Sequence, residues 1–128
     1  MGSTVNQTDN PRFRVKAVGA FEQKPGCPDY SSTDITKEEI ERICKNECYN
    51  PSDKRKNISR IEVVKITPQI TQTEPIEKLI FDVWKTFECN PSQQGCEIEF
   101  EDEDFKETSR DTIYYVRAIQ EPSPVVNG

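Results

Sequence analysis

The segment Thr112 to Pro122, with the sequence Thr-Ile-Tyr-Tyr-Val-Arg-Ala-Ile-Gln-Glu-Pro, constrains the fold of this chain most strongly. Its β-branched and aromatic residues alternate on two faces, and neither face is consistently polar. This pattern is typical of a strand buried on both sides, so we expect Thr112 to Ile119 to be the central strand of a sheet. Pro122 lacks a backbone donor and restrains Glu121 to an extended conformation, which should end the strand there.

Four further segments show the alternation of apolar and polar residues expected of strands. They are Arg12 to Ala20, Ser59 to Thr67, Lys78 to Lys85 and Glu97 to Phe100. Turn-forming residues lie between them, for example at 50–53. The pattern predicts a mainly β fold, a partial antiparallel β-sandwich of about five strands. We expect residues 11–128 to form one domain. Residues 1–10 should be a disordered leader or residues left from the expression vector.

One short helix is predicted inside a cysteine-containing insertion at about residues 26–57. Thr36 can cap this helix, because Glu39 stands three residues later and completes a capping box. The helix should run from Lys37 to about Asn46. Its apolar stripe is narrow, so the helix would be marginal alone and we expect a cysteine to tether it.

Histidine is absent, and five cysteines lie among polar and turn-forming residues. The lack of imidazole excludes Ser-His-Asp and Cys-His catalysis, and the cysteines indicate a disulfide framework in an oxidising, extracellular or periplasmic compartment. A zinc site is the alternative, although no Cys-x-x-Cys pair is present. Because short separations favour local closure, we expect Cys89 to bond with Cys96 and Cys44 with Cys48. Cys27 would then be unpaired.

The charge and hydropathy of the chain limit its partners. It has 17 basic and 23 acidic residues, a net charge of −6, and its basic residues are interspersed with acidic ones. This distribution disfavours binding to nucleic acid. No apolar run approaches the length of a membrane span, and the first residues lack the basic and apolar regions of a signal peptide. We therefore expect neither nucleic acid nor a membrane span.

The acidic run Glu101, Asp102, Glu103, Asp104 offers the hard oxygen ligands that Ca²⁺ prefers. The run lacks the glycine and the spaced glutamate of an EF-hand loop, and a solvated turn is the competing interpretation. Paired carboxylates for glycoside hydrolysis could also come from here, but no second flanking carboxylate is evident. We expect no catalytic residue, no cofactor and at most a weak calcium site.

Several segments, taken in order, resemble a known family. They are Arg60-Ile61-Glu62-Val63-Val64-Lys65, Phe81-Asp82-Val83-Trp84, Glu103-Asp104-Phe105, Tyr114-Tyr115-Val116-Arg117-Ala118 and Glu121-Pro122-Ser123-Pro124. Together with Val18 to Pro28, they resemble the C-terminal region of the domain of unknown function 3604 family, from about Asn10 to the end. That family comprises large, generally exported bacterial proteins whose N-terminal part is similar to metal-dependent PHP-type phosphoesterases.

The resemblance implies that this chain is a non-catalytic C-terminal accessory domain of a phosphoesterase-like protein. The metal-binding motifs of the family lie upstream, so the resemblance assigns no metal ligand to any position of this sequence. Family members continue with a further strand, which implies that a sheet edge is open here. The implied partner is the upstream hydrolase-like domain, and an open edge also favours a strand-mediated dimer.

An independent module that binds carbohydrate or a cell-surface polymer is the alternative function. Exposed rings of Trp84, Tyr114 or Tyr49 could form its binding platform. Packing of Trp84 in the core is the competing interpretation for that residue. A row of exposed rings would favour the binding module, whereas an exposed apolar patch would favour docking on another domain.

Overall fold

The structure, a computed structural model, describes residues 2–45 and 47–123, except the side chains at 31 and 32. The strands are β1 Arg12–Ala17, β2 Phe21–Gln23, β3 Pro51–Arg55, β4 Ile58–Ile66, β5 Ile80–Glu88, β6 Cys96–Glu101 and β7 Ile113–Gln120. The helices are α1 Lys37–Cys44 and the single turn α2 Phe105–Thr108, and 3₁₀ turns occupy Asp29–Ser32 and Ile76–Lys78. The fold is mainly β with antiparallel pairing, as predicted, but these ranges hold seven strands rather than five.

The chain divides into two compact units. The first unit comprises Met1–Val18 and Asn57–Gly128, and the second comprises Gly19–Lys56. The second unit overlaps the insertion predicted at about residues 26–57. In the described ranges, no helix has the length and apolar composition needed to cross a membrane.

Two antiparallel sheets build the first unit. The smaller sheet pairs β1 with β6, from Arg12 opposite Glu101 to Ala17 opposite Cys96. The larger sheet has the strand order β5-β4-β7. Aromatic side chains of the smaller sheet, Phe13 and Phe100, contact those of the larger sheet, so the two sheets form the predicted partial β-sandwich.

The central strand of the larger sheet is β4 and not β7. The prediction for Thr112 to Ile119 was wrong, because β7 lies at an edge and its residues Ile113 and Tyr115 are 54% and 57% exposed. In β4, by contrast, Ile61 and Val63 are fully buried. Apolar residues on both faces of a strand do not reveal whether a further strand lies beside it, so the pattern could not distinguish an edge from the centre.

The second unit contains a two-stranded sheet of β2 and β3, which was not predicted from the sequence. The turn predicted at 50–53 was wrong, since Pro51 begins β3. With three residues, β2 is too short to show a clear alternation. Arg55 lies 3.9 Å from the ring centre of Phe21 and donates a hydrogen bond to the carbonyl of Gly19, which helps to hold the two strands together.

Helix α1 has the predicted capping box. The hydroxyl of Thr36 accepts a hydrogen bond from the backbone of Glu39, and the Glu39 carboxylate accepts one from the backbone of Thr36 at 3.1 Å. The helix ends at Cys44, because Lys45 adopts the left-handed conformation, with φ of 52°, and donates to the Glu41 carbonyl. The predicted end at Asn46 lies outside the described residues.

Two disulfides occur in the described part of the chain. The predicted bond between Cys89 and Cys96 is confirmed, and Gly95 beside it has a φ of 90° that favours glycine. The other bond joins Cys27 to Cys48. The predictions of a Cys44 to Cys48 bond and of an unpaired Cys27 were therefore wrong, and exposed Cys44 takes part in neither disulfide.

The sheet of the second unit explains the pairing of Cys27 with Cys48. Beyond the β2 and β3 ladder, the backbone of Lys24 donates to the carbonyl of Asn50 at 2.7 Å, and the Asn50 side chain donates to the carbonyl of Gly26. These bonds hold the two cysteines close, with Cα atoms 4.7 Å apart. Loop-closure entropy favours a bond from Cys48 to Cys44, which is nearer in sequence. The pairing of β2 with β3, however, brings the more distant Cys27 beside Cys48.

Candidate functional site

Three ionisable side chains, Lys65, Asp102 and Tyr114, meet in the interior of the first unit. Lys65 Nζ lies 2.5 Å from Asp102 Oδ2, and the Tyr114 hydroxyl donates to the same oxygen at 2.6 Å. Asp102 is fully buried and Lys65 is 8% exposed. Because charged groups are rarely buried without a partner or a function, we treat these residues, named the Lys-Asp-Tyr cluster, as the candidate site.

Strand register and one turn bring the cluster together. Lys65 lies on the same face of β4 as buried Val63, and the register of β4 with β7 places it opposite Tyr114. Asp102 directly follows β6, and its backbone donates to the carbonyl of Pro11 at 3.2 Å, next to the start of β1. The cluster therefore connects the smaller sheet of the sandwich to the larger one.

Burial and hydrogen bonding shift the pKa of Asp102 in opposite directions. Burial alone would raise the pKa of Asp102, but the hydrogen bonds from Lys65 and Tyr114 outweigh it and lower this pKa overall. The pKa of Tyr114 is strongly raised, first by burial and then by its hydrogen bond to Asp102. At neutral pH the cluster thus holds an ionised carboxylate beside a neutral phenol.

Aromatic rings surround the cluster. Phe13 of β1 stacks on Phe100 of β6 with ring centres 4.9 Å apart, and it also lies 4.6 Å from the ring of Tyr114. Trp84 of β5 lies 6.1 Å from the ring of Phe100 and 6.0 Å from that of Tyr114. These contacts lower the local dielectric and so strengthen the hydrogen bonds of the cluster.

Trp84 also lies beside two ammonium groups. Lys65 Nζ is 5.0 Å and Lys85 Nζ is 4.5 Å from the centre of its ring, within the range of cation–π interactions. Trp84 and Tyr114 are thus half-buried in the interior and do not form the exposed platform that the binding-module hypothesis requires. Tyr49, in the second unit, is 71% exposed.

The carboxylates of the acidic run at 101–104 do not converge. Glu101 pairs with Arg12 at 2.7 Å, Asp102 points into the cluster, and Glu103 and Asp104 are exposed. The expectation of a wholly solvent-facing turn was therefore wrong at Asp102. Among the residues that the structure describes, no three His, Cys, Asp or Glu side chains lie close enough together to hold a metal ion.

Lys65 was not predicted to be a site residue, although the sequence carries a signal for it. In the segment that becomes β4, Lys65 falls on the same alternating face as Ile61 and Val63. A charged residue at a core position of a strand needs a partner, because burying an unpaired charge is costly. The identity of that partner could not be inferred, since Asp102 is distant in sequence.

The opposite face of the larger sheet carries an ionic network. Arg117 of β7 pairs with Glu62 of β4 at 3.0 Å and with Asp82 of β5 at 2.5 Å, and Arg60 pairs with Glu62 at 2.7 Å. The hydrogen bond from Arg60 is the main cause of the lowered pKa of Glu62. The network ties all three strands together, although solvent screening reduces its contribution to stability.

Apolar side chains are exposed around the beginning of β5. Ile76 in the 3₁₀ turn, and Ile80, Phe81 and Val83 in β5, are between 41% and 57% exposed. We call these four residues the β5 surface. Ile80 and Phe81 are successive strand residues and point to opposite faces of the sheet, so these exposed side chains flank the β5 edge. Large apolar side chains that stay exposed at such an edge are typical of a site that another protein or domain covers.

Comparisons with models of known protein families, with curated proteins and with solved structures found no match to this chain. The resemblance to the domain of unknown function 3604 family therefore stays a prediction from the sequence segments alone. Function must therefore be inferred from the Lys-Asp-Tyr cluster and from the β5 surface.

Proposed function

We propose that this chain is a non-catalytic accessory domain of an exported, phosphoesterase-like protein. It docks through the β5 surface on a metal-dependent hydrolase-like domain of the same polypeptide. The observation that carries this proposal is the exposure of Ile76, Ile80, Phe81 and Val83. Covering four such side chains would contribute several kcal/mol of apolar burial, at roughly 25 cal/mol per Å².

The internal pairing of the Lys-Asp-Tyr cluster supports a structural role for its charged groups. Asp102 Oδ2 already accepts from Lys65 and Tyr114, and Asp102 Oδ1 accepts from the backbone of Asp104 at 3.3 Å. A general acid or base must instead reach a proton of the substrate. This arrangement supports the proposal that the cluster joins the two sheets and that chemistry belongs to another domain.

The two disulfides support an extracellular or periplasmic location. Cys27 bonds with Cys48 and Cys89 with Cys96, at sequence separations of 21 and 7. Such bonds form and persist in oxidising compartments, where exported proteins reside.

Docking is tested by titrating the chain against the separately produced upstream region of its polypeptide, in an isothermal calorimeter. Replacing Ile80 and Phe81 by serine should weaken binding by at least about tenfold, because these side chains lose apolar burial. Tyr49→Ser, which alters an exposed ring of the second unit, is the matched control and should bind like the unchanged chain. Equal affinity of all three proteins would contradict docking through the β5 surface.

A phosphoester assay tests the lack of catalysis. The chain alone should not hydrolyse phosphomonoesters or phosphodiesters in the presence of Mn²⁺, Zn²⁺, Mg²⁺ or Ca²⁺, whereas a polypeptide extended upstream should. Turnover by the short chain that disappears when the carboxylates at 101–104 are changed to amides would refute the accessory-domain proposal.

A carbohydrate-binding module is the second candidate, and the exposure of Tyr49 is the observation that favours it. A sugar platform needs an accessible ring, and Trp84 and Tyr114 are engaged in the interior. Retention on insoluble polysaccharides that is lost in Tyr49→Ala and kept in Tyr30→Ala, another exposed tyrosine, would favour this candidate over docking.

A further inference from the structure

We propose that this chain forms a two-fold symmetric dimer, in which β7 pairs antiparallel with β7 of a second copy. The strand β7 lies at an edge of the larger sheet, with β4 on its other side. Pairing across this edge would join two three-stranded sheets into one continuous sheet. The proposal concerns a strand edge and is independent of docking through the β5 surface.

The edge of β7 lacks the features by which proteins usually protect edge strands. Its pairing with β4 is regular from Ile119 opposite Arg60 to Ile113 opposite Ile66, and the register shifts at the far end, between Ile58 and Arg60 of β4. The strand contains no proline, and Arg117 is its one charged residue. Natural edge strands are usually interrupted by bulges, prolines or several charges, because a regular edge recruits another strand.

The edges of the smaller sheet, in contrast, disfavour symmetric pairing. The outward-facing residues of β1 are all basic, and the residues opposite them in β6 are all acidic. The pairs are Arg12 with Glu101, Arg14 with Glu99, and Lys16 with Glu97. Pairing either strand with its own copy would place like charges opposite one another, which is destabilising. The remaining edge of the first unit, β5, has an irregular register between Val63 and Lys65 of β4.

A pairing of β1 with β6 of another copy would match opposite charges. It is a head-to-tail contact, however, and each added copy leaves the same two edges open. That arrangement builds a ring or an open polymer, whereas pairing of β7 with itself closes after two copies. The two arrangements therefore differ in the size of the assembly.

One register of the β7 pair is self-complementary. When the two-fold axis passes beside Tyr114, Ile113 lies opposite the partner's Tyr115. Extension of the paired strand by two residues before β7 would also place Asp111 opposite the partner's Arg117. A β-branched residue opposite an aromatic residue and opposite charges across strands are both stabilising pairs. Ile113 and Tyr115, which are 54% and 57% exposed, would cover each other across the interface. A second copy of the chain is therefore the partner that fits the β7 edge.

The register can be tested with a charge swap in a Cys44→Ser background, which prevents dimers linked through the exposed thiol. Light scattering after size-exclusion chromatography should give the background protein twice the 14.8 kDa chain mass at high concentration. Ile113→Lys with Tyr115→Lys should place like charges opposite and weaken the dimer by about tenfold or more. Ile113→Lys with Tyr115→Glu should place opposite charges together and retain the dimer.

Ile70→Lys, at an exposed position in the loop after β4, is the control and should leave the dimer unchanged. Thermal unfolding of each variant establishes that it is folded. A background protein that is monomeric at every concentration would overturn the proposal. Equal weakening by the two charge variants would also overturn it, because a different register or a non-specific apolar contact would then explain the dimer. Assemblies larger than a dimer would favour the β1 with β6 contact instead.

Discussion

Tyr114 and Asp102 share a 2.6 Å hydrogen bond, although Tyr114 lies in the larger sheet and Asp102 follows a strand of the smaller one. Lys65 contacts the same carboxylate oxygen at 2.5 Å. One buried carboxylate thus links β4, β7 and the end of β6. The stability of the first unit should consequently depend on this carboxylate more than on any exposed ion pair.

Removal of the Asp102 carboxylate should destabilise the first unit strongly. Asp102→Ala leaves the Lys65 ammonium buried without a counter-charge, which costs about 3–5 kcal/mol. Adding Lys65→Met to this variant should recover part of the loss, since the unpaired charge is removed. Chemical unfolding followed by the fluorescence of the single tryptophan, Trp84, measures both variants. A double variant no more stable than Asp102→Ala alone would contradict this account.

Removal of the Tyr114 hydroxyl should have a smaller effect. Tyr114→Phe keeps the ring contacts with Phe13 and Trp84 but removes one donor from the buried carboxylate, at a cost of about 1–3 kcal/mol. Tyr115→Phe is the matched control, because Tyr115 is exposed and should change the unfolding free energy by less than about 0.5 kcal/mol. The same unfolding experiment compares the two.

Stability should fall in acid, and Asp102 should contribute to the fall. The pKa of Asp102 is lowered in the folded protein, so its contribution is fully present above the ordinary value of about 3.9 and is lost as the pH falls through the depressed folded value. Glu62 and Glu74 also have lowered pKa values and act in the same direction. Unfolding free energies of the unchanged chain and of Asp102→Asn, measured between about pH 2 and pH 6, should show the shallower pH dependence in the variant.

Thiol chemistry should identify Cys44 as the single reactive cysteine. Alkylation of the unfolded, unreduced chain should label one thiol, and peptide mapping should place it at Cys44. Cys27→Ser should destabilise the second unit by about 2–4 kcal/mol, because the bond to Cys48 is lost, whereas Cys44→Ser should be nearly neutral. Hydrogen exchange of the backbone at 19–56 measures the effect. Labelling of Cys27 would contradict the observed pairing.

Features encoded within a few neighbouring residues were predictable from the sequence. The capping box of Thr36 and Glu39, the disulfide between Cys89 and Cys96 and the alternation that marks β4 all depend on short separations. Strand ends were less accurate, since the first strand stops at Ala17 rather than Ala20. The short strands β2 and β3 were missed because their pairing, and not their composition, makes them strands.

The sequence by itself determined the mainly β class, the short capped helix and the presence of disulfides. Alternation, capping residues and cysteine content are local properties and can therefore be read from the sequence. Only the tertiary structure decided that β4 and not β7 is central, that Cys27 bonds with Cys48, and that Asp102 turns inward to Lys65 and Tyr114. Each of these depends on which distant segments lie side by side. Many pairings satisfy the same local pattern, and the burial of apolar surface and charge across the whole unit selects among them.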